Sequence, residues 1–181
     1  MDPQLVIRAQ GGDREAFALL AGELVDRFVA VARRILRDPA LAEDAAQQAL
    51  LATWLDLPLL RDPARFEAWS YRLLVRACYA EARRARRWAT PLRLLPNDHL
   101  GGTEELGAVI DRDQLARGFE RLSVEHRAVV VLHHYLDLPL DRVAEICGIP
   151  TGTAHSRLHY AMTALRAAIE ADLRPVATEA I

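Results

Sequence analysis

Cysteine is scarce in this chain: two residues, Cys78 and Cys147, among 181. They lie far apart and inside separate helical patterns, which argues against a disulfide framework and a thiolate metal site; both read as small buried hydrophobes. Long apolar runs are missing too. No stretch approaches the ~20 residues that span a bilayer, and Met1-Asp2-Pro3 begins without a basic segment leading into an apolar one. No membrane insertion and a cytoplasmic location are therefore expected. The chain also lacks a glycine-rich phosphate loop, a Gly-x-Ser-x-Gly elbow and a His-Glu-x-x-His pair. His155 and His159 share a helix face without a third ligand, and His133-His134 stands unaccompanied. The expectation is no metal, no cofactor, no catalytic residue and no enzyme.

What is abundant favours helix. Ala, Leu, Arg and Glu fill long stretches, while the nine prolines and nine glycines cluster between periodic segments. With 51% hydrophobic residues the chain can bury one sizeable core or two small ones. The fold class expected is all-α: two small helical domains joined by an irregular linker.

The net charge of -2 hides a strong asymmetry. From Arg61 to Arg93 nine arginines face Asp62, Glu67 and Glu81, a balance of 9 - 3 = +6. From Leu94 to Asp113 five acids face Arg112 alone, 1 - 5 = -4. A basic helix followed by an acidic linker signals a partner or, more plainly, a solvated charge run.

Start signals set the helices. Asp13 can cap a helix carrying Phe17, Leu20, Leu24, Phe28 and Val31 on one face, with a short helix before Gly11-Gly12. Asp38-Pro39 and Asp62-Pro63 each place a capping carboxylate before a proline at the first helical position. Beyond Arg87 the pattern breaks into Thr90-Pro91, Leu95-Pro96-Asn97 and Gly101-Gly102-Thr103, so the domains are set at 1–87 and 114–181 with a linker over 88–113. Leu115, Phe119 and Leu122 then share a face, and Ser123 caps a helix through Val131, Leu132 and Tyr135. A short helix after Pro139 ends at Gly148-Ile149-Pro150. The last helix turns Ala154, Leu158, Ala161, Leu165 and Ile169 inward.

Short helix, glycine turn and longer helix together make a helix-turn-helix pattern. Thr151, Gly152, Thr153, His155, Ser156, Arg157, His159 and Tyr160 form the front of the second helix, and no acid falls between Thr151 and Arg166. A carboxylate-free face suits a phosphate backbone; an ordinary αα-hairpin is the alternative. The run from Leu122-Ser123 through Val143-Ala144-Glu145, Gly148-Ile149-Pro150 and Gly152-Thr153 to Ser156-Arg157-Leu158 resembles region four of extracytoplasmic-function (ECF) sigma factors. Ser123 replaces a usual proline, and His155 and Tyr160 replace commonly basic residues.

The N-terminal half carries the same resemblance. Ala42-Glu43-Asp44 followed by Gln47, Leu51 and Trp54 is similar to the family's core-polymerase-binding helix, and Asp44, Gln48, Leu51 and Leu55 lie along one stripe opposite Ala42, Ala45, Ala46, Ala49 and Leu50. Spacing alone leaves Leu51 and Leu55 open to either use, partner surface or internal core. In the next helix Phe66, Trp69, Leu73, Ala77 and Ala80 are placed on a core face. Tyr71, Val75 and Tyr79 fall roughly opposite, beside Arg72, Arg76, Arg83 and Arg84. Rings that stack and guanidinium groups that track phosphates suit a single strand, although a solvated basic helix shows the same pattern. Phe66-x-Ala68-Trp69-x-Tyr71-Arg72 is similar to the family's motif, whereas Arg76 and Ala80 stand where asparagine and aspartate are frequent.

The resemblance implies a promoter-recognition subunit of RNA polymerase. Asp44, Gln47, Gln48, Leu51 and Leu55 would bind core polymerase. Tyr71, Arg72, Arg76, Tyr79, Arg83 and Arg84 would capture the melted minus-10 element, and the front of the last helix would read the minus-35 duplex. Partners expected are core RNA polymerase, promoter DNA both duplex and single-stranded, and, where the family's regulation applies, an anti-sigma factor.

Overall fold

The computed structural model describes residues 1–89 and 117–172, without the side chains of 88, 89, 171 and 172. The expected linker, apart from 88 and 89, lies outside the described residues, as do Leu115 and the residues after 172. Every regular element among the described residues is helical. The first unit holds α1 (Pro3–Gln10), α2 (Arg14–Leu36), α3 (Pro39–Asp56) and α4 (Phe66–Ala89). The second holds a helical segment over 117–121, α5 (Val124–Val130) continuing into a π-helical turn (Val131–Tyr135), α6 (Leu140–Cys147) and α7 (Thr151–Asp172).

Capping explains most of the starts. Asp2, Asp13, Asp38, Asp62 and Ser123 each accept a hydrogen bond from a backbone N–H of the first turn, a device worth about 1 kcal/mol apiece. Asp62 opens a short 3-10 turn, Pro63–Arg65, that leads into α4. Arg37 and Gly148 end α2 and α6 in the left-handed region at φ 62° and 66°. A Cβ at Gly148 would meet the Arg72 guanidinium at only an ordinary 3.6 Å, so backbone conformation is what asks for glycine there.

In the first unit Ala16, Leu20, Leu24, Phe28, Val31 and Ile35 of α2 are buried, as are Ala42, Ala45, Ala46 and Ala49 of α3. Four small side chains in a row let α3 lie close to its neighbours. The inner face of α4 differs from the expected one. Phe66 and Ala77 are buried as anticipated, but Ser70, Leu74 and Cys78 are too, while Trp69, Leu73 and Ala80 stay half-buried. The cause is that α4 is covered on two sides, by α2 and α3 and by α5 and α6.

That second cover joins the units. Val124, Ala128, Val129, Leu132, Val143 and Ile146 belong to the same buried cluster as Phe28, Tyr71 and Val75. A smaller cluster of Leu122, Val130, Ala161 and Leu165 holds α7 onto α5. Polar contacts cross the seam as well: Arg127 Nη1 donates to the Leu36 carbonyl at 3.4 Å, Arg37 pairs with Glu120 at 3.8 Å, and Arg65 pairs with Glu145.

Candidate nucleic-acid interface

The α3 stripe faces outward. Asp44, Gln47, Gln48, Leu51 and Leu55 are all exposed, Leu51 by 60% and Leu55 by 63%, while the alanines opposite are sealed. The two leucines therefore lie in water on a well-packed helix and not in the core. Gln48 is partly engaged already: its Nε2 donates to Glu81 Oε1 at 2.6 Å. Glu81 is only 4% exposed and sits within 4.0 Å of Arg84 Nη1, so the one acid inside the arginine run of α4 is tucked away from the surface. Sequence reasoning missed the Gln48–Glu81 pair; only the Glu81–Arg84 contact, three positions apart on one helix, left a trace in the sequence.

The six α4 residues divide. Arg76, Arg83 and Arg84 are exposed, and Arg83, Arg84, Arg87 and Ala80 line an open basic depression of about 660 Å³. The aromatic members are covered instead. Tyr71 is 4% exposed, its ring 5.9 Å from that of Phe28, and it borders an inter-unit cleft with Tyr135, Leu136 and Leu138. Tyr79 lies against Cys147 of α6; burial pushes its hydroxyl well above the usual range and leaves it without a well-formed hydrogen bond. Arg72 is half-buried, and its Nε also has no hydrogen-bond partner among the described residues. Sequence reading placed Tyr71 and Tyr79 on a free face. In this arrangement the second unit covers that face, because an amphipathic pattern marks a surface as stickable without saying what sticks to it.

The front of α7 is open. Thr151, Gly152, His155, Ser156, His159 and Tyr160 are exposed and Thr153 is half-buried. His155 Nδ1 donates to the Thr151 carbonyl at 3.0 Å, which leaves Nε2 for an outside partner, and Ser156 Oγ donates to the Gly152 carbonyl at 3.0 Å. The Tyr160 ring rests on His126 of α5 with centroids 4.7 Å apart. Arg157 is half-buried, and its charge bears on Glu125, His126, Tyr79 and Cys147, so it serves the seam as much as the front.

Burial raises both thiols, Cys78 to about 12, which keeps them protonated and poor nucleophiles. Among the described residues no group of three or more His, Cys, Asp or Glu could hold a metal ion, and no helix is long and apolar enough to cross a membrane.

The arrangement suits a DNA-reading helical protein: a helix-turn-helix whose second helix carries no acid from Thr151 to Arg166, attached to a bundle with a basic face and an exposed stripe that includes Leu51 and Leu55. Comparison with known proteins makes this specific. Sigma-70 region 2 matches residues 20–88 and Sigma-70, region 4 matches residues 112–165. The chain is 34% identical to the ECF RNA polymerase sigma factor SigL of Mycobacterium tuberculosis over 169 residues, covering 88% of this chain and 94% of that protein. It is 28% identical to the RNA polymerase sigma-H factor of Pseudomonas aeruginosa, covering 99% and 97%. Among solved structures, CnrH in complex with the cytosolic domain of CnrY superimposes with a TM-score of 0.69 at 22% identity over 94% of this chain and 98% of that one. The sigma factor RpoE in complex with the anti-sigma factor NepR from Bartonella quintana does so with a TM-score of 0.66 at 21% identity, over 86% and 98%. Those two likenesses show the fold. The chain belongs to the ECF RNA polymerase sigma factors. Its work is promoter-directed transcription, its partners are core RNA polymerase and promoter DNA, and it is a non-catalytic initiation factor.

Proposed function

We propose that this sigma factor divides initiation among three surfaces. The α3 stripe of Asp44, Gln47, Gln48, Leu51 and Leu55 docks on core polymerase. The α4 residues Tyr71, Arg72, Arg76, Tyr79, Arg83 and Arg84 capture unpaired bases of the minus-10 element. The α7 front, from Thr151 to Tyr160, enters the major groove of the minus-35 duplex. Stacking of extruded bases on the two tyrosines would offset part of the unstacking cost, so that DNA melts without nucleotide hydrolysis. The observation that supports this reading is the exposure of the α3 leucines and of the α7 front, which carries no acid from Thr151 to Arg166.

Capture requires a change of arrangement. With Tyr71 and Tyr79 covered, a strand reaches them only when the unit over 114–181 moves away from that over 1–87. RpoE was solved with an anti-sigma factor, and a partner of that kind fits this chain as well. Working with polymerase, it would act in the cytoplasm. Permanganate footprinting of a cognate promoter tests the proposal: holoenzyme containing this chain should expose reactive thymines in the minus-10 region, and Tyr79→Ala should suppress them. Footprints on closed duplex alone, with no reactive thymine under any condition, would overturn it.

A further inference from the structure

At the seam between the units lies a half-open cavity of about 220 Å³, bordered by Leu60, Arg61, Asp62, Arg65, Trp69 and Arg72 of the first unit and by Glu145 of the second. Its charges are unevenly satisfied. The Asp62 carboxylate is committed to the Ala64 N–H at 3.0 Å. Glu145 gives one oxygen to Arg65 across the seam and the other to Arg142, one turn back on its own helix, at 2.9 Å. Arg72 has a buried Nε with no hydrogen-bond partner among the described residues. When the units part, Glu145 leaves with α6. The cavity wall then carries three guanidinium groups against one carboxylate that is already capping a helix.

Planar guanidinium forks recognise the paired oxygens of carboxylate and phosphate alike. From this geometry we infer that Arg65, with Arg72 beside it, forms a binding site for a backbone phosphate of single-stranded DNA, and that Glu145 occupies this site in the closed arrangement as an internal stand-in for that phosphate. The inference rests on the single-strand reading of α4 and extends it to the 3-10 turn that precedes the helix. The carboxylate of the duplex-reading unit thus plugs the strand-reading unit, and the strand must displace it. A site filled from within lowers apparent affinity by the fraction of molecules that are closed, so removing the plug raises affinity without adding a contact to DNA.

Binding of a fluorescein-labelled single-stranded oligodeoxynucleotide to the full chain, measured by anisotropy over a salt series, decides the matter. Glu145→Gln keeps the shape and removes the charge; it should bind the strand severalfold more tightly than the native chain. Arg142→Ala removes the other partner of Glu145 and should give no such gain, which separates loss of the plug from a general loosening of α6. Arg65→Gln placed in the Glu145→Gln background should lose affinity and flatten the dependence of log K on log salt by about 0.7, the value of one phosphate contact to a single strand. Equal affinity of the native chain and Glu145→Gln would overturn the plug, and an unchanged salt slope on adding Arg65→Gln would overturn the phosphate site. Failure of the single-strand reading itself would show separately, as absence of reactive thymines in the holoenzyme footprint.

Discussion

The guanidinium of Arg34 on α2 lies 3.7 Å from the centroid of the Tyr135 ring, so a cation and an aromatic face from the two units meet across the seam. Both residues are exposed. Such a contact is worth about 0.5–1 kcal/mol at an exposed site, enough to move the ratio of closed to open molecules by roughly two- to fivefold. Arg34→Ala and Tyr135→Ala should each shift the free chain toward open forms by that factor. Distance distributions between one label in each unit would show it; identical distributions for both variants and the native chain would mean that the contact contributes nothing to closure.

Asp44→Arg combined with Leu51→Arg should abolish association with core polymerase and leave the helical circular dichroism signal and thermal midpoint close to native. Both side chains are exposed on α3, so neither arginine has to enter the core. Unfolding of the double variant would show that this stripe serves the fold.

The Tyr79 hydroxyl is buried without a well-formed hydrogen bond, whereas its ring fills the seam beside Cys147. Removing an unsatisfied buried hydroxyl costs little and can stabilise. Tyr79→Phe should therefore keep or raise the thermal midpoint and bind a bubble template as the native chain does. Tyr79→Ala should lower both, with a loss on the bubble of about 1–3 kcal/mol for one stacked base. A Phe variant as defective as the Ala variant would assign the role to the hydroxyl instead of the ring.

Acidity should loosen the second unit through His126. Burial, then the charge of Arg157, lowers the affinity of this ring for a proton, with Glu125 opposing. A histidine whose folded-state pKa lies below its unfolded value binds protons more readily when unfolded, so its contribution to stability is intact above the unfolded pKa, about 6.5, and is lost as pH falls below it. Asp13 and Glu125, both held below the usual carboxylate range, act in the same direction but only at lower pH. Urea midpoints should thus decline from neutrality toward pH 5.5 in the native chain and decline less in His126→Gln. The same slope in both would place the effect elsewhere.

Local chemistry was legible in the sequence, and chemistry between distant segments was not. Asp13, Asp38 and Ser123 cap the helices they were expected to start, Asp62 caps a 3-10 turn that leads into the expected one, and Ala154, Ala161 and Leu165 are buried while Ser156 and His159 are exposed. The α3 stripe was ambiguous between core and partner, and the exposure of Leu51 and Leu55 puts them at the surface. Three things escaped. The second buried face of α4 depends on helices that begin only at Val124 and Leu140. The Gln48–Glu81 and Arg65–Glu145 pairs join residues 33 and 80 positions apart, beyond any periodicity. The π-helical turn over Val131–Tyr135, where α-helix was expected, follows from the Leu136 N–H reaching the Val131 carbonyl at 3.2 Å, which no residue preference announces.

Run-off transcription of fragmented genomic DNA from the source organism, with core RNA polymerase alone and with the chain added, bears most directly on the assignment as a sigma factor. Discrete transcripts should appear only when the chain is present, should share a start-site-proximal sequence at the minus-10 and minus-35 spacings, and should vanish with Asp44→Arg/Leu51→Arg. Transcript patterns identical with and without the native chain would contradict it.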